Sequence, residues 1–146
     1  MTGETHRIIE DECRKLSIAY ARHVDFKEYD LFVKLFTPEG ELNVTGRPVV
    51  GHEKLKKAMA MRPDSLRSRH VLTNIYINVI DEDHAEGISY LTLYRHEGQN
   101  IGGDESGPRE ISGPAAVGHY SDTFRRTNEG WRFASRTLHF DFRIKV

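Results

Sequence analysis

Cysteine is almost missing from this chain: Cys13 is the single one in 146 residues. One thiol excludes an internal disulfide and fits a reducing compartment, so the fold must hold by packing alone. Charge of one sign is missing too. Twenty-one Lys and Arg against 22 Asp and Glu leave a formal net charge of -1, which removes the electrostatic case for nucleic acid or anionic membrane as the main partner. No apolar run approaches the ~20 residues that a membrane span needs, and Met1-Thr2-Gly3-Glu4-Thr5-His6 does not read as a secretory signal. Without that signal, the sequon Asn43-Val44-Thr45 is read as chance. Those absences together predict a cytoplasmic protein. Apart from His70, the histidines at 6, 23, 52, 84, 96, 119 and 139 show no metal-ligand spacing, and His23 and His119 are placed at a pocket mouth or the surface. Gly102-Gly103 sits in an irregular stretch rather than on a strand-to-helix phosphate loop, and no serine or cysteine has a nucleophile elbow around it. The expectation is a protein with no metal and no cofactor.

What is present is periodicity. Ile9, Cys13, Leu16, Tyr20 and Val24 follow steps of four and three, which make one face of a helix over about 5–24. A second short helix carries Tyr29, Phe32, Val33 and Phe36 inward and stops at Thr37-Pro38-Glu39-Gly40. A short strand over 41–45 leads to a third helix from Gly51, burying Leu55, Ala58 and Met59 and ending before Pro63. Beyond Pro63 the period becomes two. Val71, Thr73, Ile75, Ile77 and Val79 form one row; His70, Leu72, Asn74, Tyr76, Asn78 and Ile80 form the other. Strands over 85–94, 117–127 and 131–143 follow, with an aperiodic stretch at 98–114 that reads as a lid or a ragged hairpin tip.

Helices first and then an antiparallel meander is an α+β layout, and residues 1–146 form one domain. A sheet with strands this long curls, and helices laid across its hollow leave a pocket. The mixed row headed by His70 lines that pocket. The β-branched row from Val71 to Val79 has no evident cover within the chain, so a second copy is expected to supply it.

Three residues in this layout carry chemistry. Asp25 closes the first helix, His70 opens the long strand, and Arg136 interrupts the apolar row Ala134, Arg136, Leu138, Phe140, Phe142. A carboxylate that orients an imidazole makes a general base, and an arginine facing the same space can hold the charge that proton removal creates. Each has a plainer reading. Asp25-Phe26-Lys27-Glu28 looks like a capping box for the second helix, and from the residues alone that reading is favoured. A strand histidine usually bonds backbone, and a buried arginine needs a partner such as Asp122, Asp25 or a facing glutamate. Tyr20, Asn74 and Tyr120 are candidates for orienting a substrate, Tyr120 sharing a strand face with Gly118, Asp122 and Phe124.

Val24-Asp25-Phe26-Lys27-Glu28-Tyr29-Asp30, Arg69-His70, and Gly130-Trp131-Arg132-Phe133 with Arg136 together resemble the SnoaL-like branch of the nuclear transport factor 2-like superfamily. Within it the pattern is nearest to the group of scytalone dehydratase, hexachlorocyclohexane dehydrochlorinase and bile-acid dehydratase. The resemblance covers the whole chain. It implies a cone-shaped, curved, mixed or antiparallel sheet with three N-terminal helices packed across its concave face, a cystatin-like roll. It implies an Asp25–His70 base with Arg136 as pocket arginine, which turns the reading of Asp25 from cap to dyad. It also implies a trimer or dimer. Val24 stands where scytalone dehydratase has tyrosine, and Leu42 occupies the first-strand position where some relatives place a pocket aromatic. The function implied is a lyase of the dehydratase or dehydrohalogenase type acting on a small hydrophobic, cyclic molecule. Isomerisation and polyketide ring closure begin with the same proton removal. A non-catalytic module like the β subunits of ring-hydroxylating oxygenases is the reading of a different class.

Overall fold

Helix α1 (Gly3–Asp25) is longer than its apolar face alone requires because both ends are capped. The Thr2 side chain accepts from the Thr5 backbone N–H at 3.1 Å, which satisfies one of the donors a helix start leaves free. At the other end Glu28 N–H reaches His23 O at 2.8 Å and Lys27 N–H reaches Val24 O at 3.2 Å, with Lys27 at φ 59. That pair of bonds around a left-handed residue is the Schellman stop. It overturns the capping-box reading of Asp25. The residue before α2 (Tyr29–Val33) is Glu28, which makes no side-chain cap, and Asp25 is the last residue of α1. Ile9, Cys13, Leu16, Tyr20 and Val24 are all buried, as their spacing predicts.

The computed structural model describes residues 1–145 and shows one six-stranded mixed sheet, in the order β2-β1-β6-β5-β4-β3. The strands are β1 (Phe36–Asn43), β2 (Val49–Val50), β3 (Arg67–Val79), β4 (His84–His96), β5 (Ala116–Thr127) and β6 (Gly130–Phe142); α3 (His52–Ala60) lies between β2 and β3. Among the described residues, β1 and β6 are the one parallel pair. Helix α1 lies chiefly across β3 and also meets β6, while α3 packs on α2 and on β1–β2. The fold is the α+β cystatin-like roll expected. Phe36 begins β1 rather than ending α2, so Thr37-Pro38-Glu39-Gly40 belongs to an irregular strand start. No helix among the described residues is long and apolar enough to cross a membrane.

The predicted rows of β3 fail at one point. Thr73 pairs with Tyr90 and Tyr76 with Ile88, so two residues, Asn74 and Ile75, face one on β4. This is a β-bulge, and Asn74 sits in it at φ 52, a conformation asparagine tolerates better than most. One extra residue swaps the faces beyond it. His70 and Leu72 point to the helix side before the bulge; Ile75, Ile77 and Val79 do so after it, with Ile77 only 7% exposed. Asn74 is exposed and does not join the buried lining, and Tyr76 is 71% exposed. The uncovered outer face therefore includes Val71, Tyr76, Ile80, Ile88 and Tyr90, joined by Phe142. Strand β6 departs from its row in the same way. Register shifts beside Ala134 and Asp141 leave Arg136 and Leu138 inside and turn Phe142 outside beside Val117, while Phe140, paired with Gly118, stays on the inner side although it is exposed.

Candidate active site

The Schellman stop aims the Asp25 carboxylate at the start of β3. Oδ1 lies 2.6 Å from His70 Nδ1 and accepts from the Ser68 hydroxyl at 2.9 Å, while Oδ2 accepts the His70 backbone N–H at 2.8 Å. The side chains of His70 and Asp25 are only 9% and 6% exposed. Burial alone would raise the Asp25 carboxyl. The bonds from the His70 ring and backbone, the imidazole's charge and the Ser68 hydroxyl outweigh burial and hold it below its ordinary value. An ionised carboxylate on Nδ1 favours a proton at that nitrogen, and Nε2 has no hydrogen-bond partner among the described residues. Ser68 also accepts from Arg62 Nη2 at 3.2 Å, so an Arg62–Ser68–Asp25–His70 chain runs through the site.

Arg136 is wholly buried, and most of its guanidinium is already engaged. Nε and Nη2 grip the two Asp122 oxygens at 2.8 and 3.0 Å, and Nη2 also reaches Ser17 Oγ at 3.0 Å and Ser89 Oγ at 3.4 Å. Three rings enclose it: Cζ is 3.9 Å from the Tyr120 ring centre, 4.4 Å from Tyr20 and 4.6 Å from Phe133. Burial pushes the Asp122 carboxyl up despite the cation beside it, yet burial fails to lower Arg136, which Asp122 holds up. The two directions pull oppositely on the pair. The bidentate geometry, and a guanidinium that stays protonated in proteins, decide for a buried ion pair. The structural partner foreseen for Arg136 is thus present. One group remains over: Nη1 is buried with no acceptor among the described residues.

The two clusters meet at Tyr20. Its ring stands edge-on to His70 at 6.3 Å and to Tyr120 at 5.6 Å, and it lies under Arg136. Burial raises both phenols' pKa, Tyr120's well above the ordinary value, so both are neutral donors. Leu42 is buried and opposite Arg136 in the β1–β6 register. Of the seven residues singled out from sequence, six therefore gather between α1 and the sheet, and Asn74 does not. Phe32, Phe36 and Phe133 fill much of the space, with ring centres 5.1 to 6.1 Å from a neighbouring ring, where an open hollow was expected. Hollows of about 730 and 630 Å³ open instead on the outer face, beside Tyr90 and His119 and beside Tyr76 and Ser121. His119 lies on that face with Nδ1 2.6 Å from Asp141, and His23 pairs with Glu28 at 3.1 Å, so neither joins the site.

Sequence reasoning missed Ser17, Ser68, Ser89 and Arg62. A serine carries no signal of its own, although Ser17 one position beyond Leu16 on a buried helix face is a polar residue that needs a partner.

Residues 8–137 match the model of the SnoaL-like domain. The chain belongs to the SnoaL-like family. A search of curated proteins finds no match. Among solved structures, a Mycobacterium tuberculosis protein of unknown function, Rv3472, is 21% identical with a TM-score of 0.78, covering 99% of this chain and 79% of that one. A candidate scytalone dehydratase of Novosphingobium aromaticivorans is 18% identical with a TM-score of 0.76, covering 99% and 94%. A type-2 hexachlorocyclohexane dehydrochlorinase is 11% identical with a TM-score of 0.77, covering 97% and 90%. Identities this low establish a shared fold.

Proposed function

We propose that this SnoaL-like chain is a cofactor-independent lyase of the dehydratase or dehydrohalogenase type, acting on a small hydrophobic, cyclic molecule. The observation that carries the reading is the buried Asp25–His70 contact with a free Nε2. A carboxylate bound to one nitrogen makes the other a positioned base, and a base of this kind contributes roughly 10²–10⁴ to rate. Nε2 takes the proton from a ring carbon. The C–H electron pair becomes the new double bond, and the bond from the adjacent carbon to halide or hydroxyl breaks with its pair. Halide leaves as the anion and His70 later releases its proton to water; hydroxide leaves as water after taking a proton back. Arg136 Nη1, the unengaged donor in a dry aromatic cage, supports this account as the group that meets the developing negative charge. Tyr20, Tyr120 and Leu42 form the walls, and a ligand takes its space from the packed rings.

The outer face carries a second part of the proposal. Ile88, Tyr90 and Phe142, each at least 45% exposed, are the surface through which a trimer or dimer assembles.

The deciding experiment is turnover of a panel of cyclic alcohols and halides by wild type, His70→Ala and Asp25→Asn. Both variants should stay folded, with His70→Ala slower by about 10²-fold or more. Full turnover by both would refute the mechanism. Alkene with released water or halide marks elimination; a product of unchanged composition marks isomerisation or ring closure instead.

A further inference from the structure

Arg62 closes the last turn of α3, its backbone N–H donating to Met59 O at 3.1 Å just before Pro63. Its partly buried side chain reaches the start of β3 and the start of α2: Nη2 donates to Ser68 Oγ at 3.2 Å and Nε to Tyr29 Oη at 3.3 Å. Both partners are neutral hydroxyls. Among the described residues this cation pairs with no carboxylate directly, and the one it is linked to is Asp25, a single serine away.

A serine hydroxyl has one proton and can donate or accept, whereas a guanidinium only donates. Against Nη2 the Ser68 oxygen must therefore accept, and its own proton is left for the acceptor on the other side, Asp25 Oδ1 at 2.9 Å. Ser68 is 4% exposed, so bulk water hardly competes for that proton. Oδ1 then receives two donors, Ser68 and His70 Nδ1, while Oδ2 receives the His70 backbone N–H. Three donors on two oxygens fix the plane of the carboxylate as well as favouring its charge. Hydrogen bonds in such a chain polarise one another, so a cation at one end strengthens the donation at the other. Apart from Asp25, α1 and β4 set uncharged neighbours beside His70: Tyr20 edge-on at 6.3 Å and Leu93 in the opposing register position.

We infer that Arg62 is a positioning residue of the candidate active site, acting through the Ser68 hydroxyl to hold Asp25 as the anion that orients His70. Asp25 stands between Arg62 and the imidazole in the bonded chain, so Arg62 reaches the base at one remove and is not itself a catalytic residue. The predicted effect on turnover rests on the lyase reading. The direction of donation along the chain does not, because it follows from which groups can donate.

The test is a cycle of Arg62→Met, Ser68→Ala and the double variant, read by carbon-13 NMR of the Asp25 carboxyl during acid titration, which needs no substrate. The Ser68 hydroxyl is one of the groups that hold this carboxyl below its ordinary value, so each single variant should move the titration midpoint upward. In the Ser68→Ala background, Arg62→Met should add nothing further, because the route to Asp25 is already cut. Once a substrate is found, Arg62→Met should lower kcat by about threefold to tenfold, the worth of one hydrogen bond, with KM little changed. An Asp25 midpoint unmoved in folded Arg62→Met overturns the proposal and leaves Arg62 only its tie to Tyr29. An equal upward shift with and without Ser68 also overturns it, since that result marks a through-space charge. Arg62→Leu runs the same cycle should the methionine variant fail to fold. Full turnover by His70→Ala would remove the lyase reading while leaving the titration result to stand.

Discussion

Removing the charge of Asp122 is the sharpest probe of how this interior holds together. Asp122→Asn keeps the volume and withdraws the anion from a guanidinium that is 0% exposed. Breaking a buried pair from one side costs about 3–5 kcal/mol, because the remaining charge has neither water nor a counter-ion. Two features here lower that figure. Ser17 and Ser89 still accept from Nη2, and the Tyr20, Tyr120 and Phe133 rings still face the cation, each worth roughly 0.5–2 kcal/mol. The expected loss is therefore about 3 kcal/mol, at the low end of the range. For a chain of this size that lowers the melting temperature by roughly 6–12 °C. Replacing both partners tells a different story. Asp122→Leu with Arg136→Met fills the same space without charge and should come within about 1 kcal/mol of wild type, since an apolar replacement of a buried pair is often neutral. Urea unfolding of wild type, both singles and the double closes the cycle. A loss below about 1 kcal/mol for Asp122→Asn, or a double variant as weak as the sum of its singles, would refute the argument. The double variant also separates stability from chemistry: folded but inactive, it would mark Arg136 Nη1 as part of the reaction.

Asp25 titrates below its ordinary value of 3.8 in the folded chain, so the unfolded chain binds that proton more readily. Its contribution to stability is complete above about pH 4 and is lost as pH falls through the lower folded value, so Asp25→Asn should flatten the acid limb of a stability–pH curve and leave the neutral region's slope unchanged. Cys13 is fully buried and its thiol is pushed up to about 12, burial being the main cause, so iodoacetamide at pH 8 should label it only in denaturant. A Cβ at Gly118 would meet the His139 carbonyl oxygen at 2.2 Å, so Gly118→Ala should cost about 1–3 kcal/mol or more in thermal unfolding. Light scattering at micromolar concentration should give a multiple of the chain mass, and Tyr90→Glu with Phe142→Glu should reduce it; a single-chain mass for wild type would contradict the proposed assembly.

What the sequence made legible, and what it hid, follows from the range of the forces involved. Helix α1 was readable because its buried face repeats locally, and β5 because Gly118, Tyr120, Asp122 and Phe124 alternate without interruption. The roles of Ile75, Ile77 and Val79 were not, because a bulge is a two-against-one pairing with another strand and leaves little trace in composition. Asn74 was the one local clue. A residue tolerant of positive φ in the middle of a β-branched run marks a place where alternation can break, and reading it as a pocket side chain concealed the break. The capping box at Asp25 failed for a related reason. Its spacing was correct, but the turn it belonged to ended α1 instead of starting α2, and hydrogen bonds from His70 and Ser68 took both carboxylate oxygens. Local pattern left Asp25 between two roles, and the long-range contact at a sequence separation of 45 is what tells them apart.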